Sequence, residues 1–102
     1  MTNYYFKKIS VLMDSANEQL QLVMRTTREA LETLNEFVKE CELALASGNE
    51  NRIRELAADS ELGGDTPEEN VRLLIASSKD SIAIFEQKLG LLYQFADISE
   101  LQ

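Results

Sequence analysis

From Phe6 to Ala44, apolar residues recur at alternating steps of three and four: Phe6, Ile9, Met13, Ala16, Leu20, Val23, Ala30, Leu34, Phe37, Cys41 and Ala44. Thr27 is the one polar member of the row. A repeat that averages three and a half residues holds one stripe of an α-helix toward a neighbour, as in a coiled coil. The intervening positions are mostly charged or amide residues, as an exposed face requires. Thr2 or Asn3 can cap this helix, and no glycine or proline interrupts it before Gly48, so the pattern predicts one helix over about 2–47. At 1.5 Å per residue such a helix is on the order of 65 Å long, a rod rather than an element of a compact globule.

Ser47-Gly48-Asn49 ends it, with Gly48 suited to the left-handed position past a helix and Asn49 able to cap the next. Ile53, Leu56, Ala57 and Ser60 predict a short connecting helix over about 50–60. Leu62-Gly63-Gly64-Asp65 breaks the chain again. Thr66-Pro67-Glu68-Glu69 then supplies an N-cap, a proline at the first helical position and a glutamate at the third. The helix that follows, about 67–98, has its own row: Val71, Ile75, Ser78, Ile82, Phe85, Leu89, Leu92 and Ala96.

Each long row holds one polar residue. Pairing Thr27 with Ser78 in an antiparallel hairpin makes facing residue numbers total 105 and mostly sets small side chains against large ones, as close packing needs. In that register residues 39–47 protrude and the short helix folds back over Cys41, Ala44 and Leu45. The expected fold is therefore all-α: a single domain over 1–102, built as a long antiparallel helical hairpin with a short connecting helix.

Further apolar rows repeat at intervals of seven. On the first helix the row is Met24, Leu31, Val38 and Leu45, flanked by Tyr5 and Leu12; on the last it is Ile84, Leu91 and Ile98. Two helices bury one row each, so these predict an exposed apolar patch and a homodimer that completes a four-helix bundle. The expected self-association interface is Met24, Leu31, Val38, Leu45, Ile84, Leu91 and Ile98.

Charge changes the picture in one stretch. The net charge of −8 is divided as +2 over residues 1–28, −9 over 29–69 and −1 over 70–102. Such a field opposes nucleic acid and anionic lipid and favours a basic protein surface. Glu36, Glu40, Glu42, Glu50, Glu55, Asp59, Glu61 and Asp65 are the candidate contacts, although acidic helix faces also serve solubility alone.

Candidate chemistry is sparse. With no histidine in the chain, serine and threonine lack the usual activating base and the commonest metal ligand is missing. One cysteine, Cys41, permits no internal disulfide and lies on the apolar row, where a buried structural thiol is expected. Glu29-x-x-Glu32 resembles half of the metal-binding motif of the all-helical MazG-like nucleotide pyrophosphohydrolases. The Glu-x-x-Asp half has no counterpart, and Glu29, Glu32 and Glu36 share the solvent face. Tyr93-x-x-x-Asp97 resembles the tail signature of small helical hairpins exported by type VII secretion, but the Trp-x-Gly turn of that family is missing, so no function is carried over. Tyr4, Tyr5, Lys7 and Lys8 form an aromatic-basic cluster that reads as an amphipathic helix start. Lys7 and Lys8 precede an apolar patch broken by Ser10 and Asp14, unlike a signal peptide, and no run reaches membrane-spanning length. The resulting expectation is a cytoplasmic, non-enzymatic helical interaction protein without cofactor or metal: an adaptor, small chaperone or assembly subunit. An alternative is an acidic inhibitor that blocks a basic nucleic-acid-binding site on a target enzyme through residues 29–69.

Overall fold

The computed structural model describes the backbone of residues 2–58 and 63–101 and the side chains of 4–58 and 63–96. Three helices follow in order, α1 (Thr2–Ser47), α2 (Glu50–Ala57) and α3 (Pro67–Leu101), with no strand among the described residues. The boundaries are chemical. Gly48, at φ 67°, lets its own N–H reach Leu45 O and the Asn49 N–H reach Ala44 O, both at 3.3 Å. These two bonds are the Schellman closure of a helix end. The Asn49 side chain then accepts from the Arg52 N–H at 3.2 Å and starts α2. At α3, Thr66 Oγ1 accepts from the Glu69 N–H at 3.1 Å, while Glu69 Oε2 accepts from the Asp65 N–H at 2.9 Å. The glutamate thus reaches one residue further back than in the usual capping box. α2 ends at Ala57, shorter than the expected span to residue 60, and α3 runs on to Leu101.

The hairpin is antiparallel, but its register is not the expected one. Lys79 Nζ meets Glu42 Oε1 at 3.2 Å and Arg28 Nη1 donates to Tyr93 Oη at 3.2 Å, and each pair of numbers totals 121. Against the expected 105 this is a slide of 16 residues, about 24 Å along the axis. Thr27 does not face Ser78. Its hydroxyl donates at 2.7 Å to Val23 O of its own helix, so it needs no polar partner across the hairpin and exerts no pull on the register. What sets the register is the connection. α2 folds into the corner between the end of α1 and the start of α3.

The core sits in that corner. Cys41 and Ala44 of α1, Ile53 and Ala57 of α2 and Val71 of α3 form one buried cluster, with Phe37, Leu45, Leu56 and Ile75 packed around it. Cys41 and Val71 are fully buried, at 0% exposure. Three helices meet only here. Further along, where α1 and α3 face each other alone, Leu34, Leu31, Ile82, Phe85 and Leu89 are half-buried and Met24 is buried.

Two expectations are corrected. The overhang of α1 is its amino-terminal end, not residues 39–47: by the observed register Leu101 lies level with Leu20, and residues 4–19 of α1 are all exposed. The row Met24, Leu31, Val38 and Leu45, expected to face a partner, turns inward, with Met24 at 3% and Val38 at 7% exposure and Leu31 and Leu45 half-buried. The face that α3 covers is turned toward this row, so that Met24 is buried while its neighbour Val23 is 48% exposed. The result is a rod of 70 × 22 × 17 Å. No described helix is long and apolar enough to cross a membrane.

Candidate interaction surface

A run of exposed apolar side chains lies on the overhang. Tyr4, Tyr5, Phe6, Ile9, Val11, Leu12 and Met13 range from 49% exposed at Met13 to 71% at Phe6. Tyr4 and Tyr5 meet edge to face at 5.4 Å between ring centroids, and the Lys8 ammonium lies 6.0 Å from the Tyr4 ring centre. The aromatic-basic start of α1 is thus a self-contained local cluster. Met13 and Phe6 lie one and two heptads before Leu20, in line with the face that α3 covers at Leu20, Met24 and Thr27, whereas Ile9 and Ala16 lie in line with Val23, which is 48% exposed. Scattered apolar side chains are ordinary on a protein surface, but a continuous stripe of this length is not.

Phe6, Ile9 and Met13 of this surface belong to the row expected to be buried, and Tyr5 and Leu12 to the flank expected to be exposed. In the structure α1 has 46 residues and α3 has 35, and the excess of α1 lies at its amino-terminal end. The small residues Cys41, Ala44 and Ala57 mark the other end, because only small side chains let three helices approach closely. Of the expected interface, Ile84 and Leu91 on α3 are exposed, at 51% and 50%. The Ile98 side chain lies outside the described residues.

The acidic stretch gathers at the closed end and is partly matched within the chain. Arg52 holds both Glu40 of α1 and Glu55 of α2, and Lys79 of α3 holds Glu42. Hydrogen bonding to Glu55 and then to Glu40 raises the Arg52 guanidinium above its usual range, so its charge is fixed. Glu36, Glu50 and Asp65 are exposed, while Asp59 and Glu61 lie outside the described residues. Glu29, Glu32 and Glu36 are exposed along the solvent face of α1. Among the described residues no three acidic or cysteine side chains converge as a metal site requires. The Cys41 thiol is pushed up from its ordinary value by burial, and further by Glu40 and Glu42, against a lowering by Arg52. It is a packed sulfur rather than an exposed nucleophile. Tyr93 accepts from Arg28 and ties α3 to α1.

Fold and surface together define an all-helical hairpin with a wedge helix at its closed end and an open apolar face at the other. Comparison with protein-family models, with curated proteins and with solved structures gave no match to this chain.

Proposed function

We propose that the protein is a non-enzymatic helical interaction module that docks onto helical partners through apolar side chains, as an adaptor, small chaperone or assembly subunit does. The observation that carries this reading is the uncovered face of α1 from Tyr4 to Met13. An amphipathic helix that has buried its face over one stretch and not over the next offers the remainder as a ready groove-filler for another helix. The inhibitor reading draws less support. Glu40, Glu42 and Glu55 already face cations of their own chain, which reduces the charge they offer a basic target.

Salt and mutation separate the two. The immobilised protein is exposed to a native lysate at about 0.05 and 0.5 M salt, where screening lengths differ roughly threefold. Apolar docking predicts partners, further copies of the chain included, that stay bound at high salt and are lost from the Ile9→Asp, Met13→Asp variant. Partners that leave with salt and survive those substitutions would transfer the function to the acidic end.

A further inference from the structure

We infer that the occupant of the α1 overhang is the same segment of a second copy, running antiparallel, so that each overhang takes the place of the α3 that its neighbour lacks. The inference rests on the apolar-docking reading and names its partner. Three observations point to it.

The first is continuity. The face that α3 covers on α1 at Leu20, Met24 and Thr27 runs on at steps of seven through Met13 and Phe6, with Ile9 and Ala16 along its edge, past the level of Leu101. An open stretch from Thr2 to about residue 19 is roughly 27 Å long. An antiparallel copy whose facing residue numbers total 22 fills that stretch, with its Thr2 level with Leu20, where α3 stops. The second is size. In that arrangement Phe6 of one copy faces Ala16 of the other and Ile9 faces Met13, each pair occurring twice about the two-fold axis, so large side chains meet small or slender ones.

The third is charge. The overhang is balanced, Lys7 and Lys8 against Asp14 and Glu18, whereas the chain as a whole carries −8. Pairing the overhangs brings neutral surfaces together and places the two acidic closed ends on the order of 100 Å apart, far beyond a screening length of about 8–10 Å. A parallel side-by-side pairing would instead set each −9 segment against its copy.

The test uses the purified full chain. Sedimentation equilibrium is expected to give twice the 11.5 kDa chain mass, and the Phe6→Asp, Met13→Asp variant the single mass, with the helicity of α2 and α3 retained because the core cluster is remote from both sites. A second measurement fixes the direction. In a Cys41→Ala background, Leu12→Cys sits beside the two-fold axis and forms a disulfide with its own copy on mild oxidation. Ala16→Cys does not, yet it cross-links when mixed with Phe6→Cys. A single-chain mass at every concentration overturns the inference, and helix docking to another protein is then judged by the lysate retention. A dimer indifferent to the two aspartates moves the interface to α3, where Ile84 and Leu91 are exposed, and equally overturns it. Ala16→Cys joining to its own copy rejects the antiparallel arrangement.

Discussion

Cys41 shows how much a single small side chain decides here. It is fully enclosed where three helices meet, and its thiol is raised by burial and by the flanking Glu40 and Glu42. Native protein should therefore react with iodoacetamide only as fast as it opens, and the rate should jump in denaturant. A raised value in the folded state means the fold prefers the protonated thiol. Its contribution to stability is thus complete below the ordinary thiol value of 9.0 and is lost as pH climbs beyond it. Chemical denaturation between pH 7 and 10 checks this: stability falls above pH 9 in the wild type and less so in Cys41→Ala. Cys41→Ala itself leaves a small cavity and costs about 1 kcal/mol. Cys41→Asp strands a carboxylate between two others and costs on the order of 3 kcal/mol or more. That this cysteine is structural was legible from its place on the apolar row.

At the scale of elements, the same substitution should act with opposite sign at two glycines. Gly90 lies inside α3, and a Cβ there would meet nothing within 4 Å. Gly90→Ala should stabilise by about 1 kcal/mol through helix propensity, a rise of roughly 4–8 °C in Tm for a chain this size. At Gly64 a Cβ would fall 2.6 Å from Asn70 Oδ1 and 2.9 Å from Asn70 N. Gly64→Ala must displace the first turn of α3 and break the 2.7 Å bond from the Gly64 N–H to Asn70 Oδ1, a loss of about 1–3 kcal/mol. Thermal melts of the two variants should bracket the wild type. The helix ends were legible because the residues that make them act locally: Gly48, Asn49, Thr66 and Pro67 each set a dihedral or satisfy a neighbouring N–H. Register was not. Thr27 looked like half of a polar pair, but its hydroxyl is satisfied four residues back in its own helix, and no residue pattern reveals that. Nor do two adjacent heptad rows state which of them the partner helix will cover, so Met24 and Val38 read as outward although both are buried.

For the whole molecule the consequence is shape. The radius of gyration is 20.7 Å, against about 13 Å for a compact chain of this length. Small-angle scattering distinguishes the assemblies directly. A single chain has a maximum dimension near 70 Å, and a side-by-side dimer keeps it. A pair overlapping only through its overhangs stretches to about 110 Å. The acidic closed ends are then the two tips of one long particle, which makes the charge pattern legible in the sequence a statement about where copies do not touch.

The wedge of α2 has one further consequence, in the order of opening. Complete enclosure is confined to the corner formed by Cys41, Ala44, Ile53, Ala57 and Val71, so the amide protons of that corner should exchange with solvent only through global unfolding. Protection should then decline along α1 toward Tyr4, turn by turn, like a clasp that holds at its hinge while its arms breathe. Binding at the free arm would be read out as slowed exchange there and nowhere else.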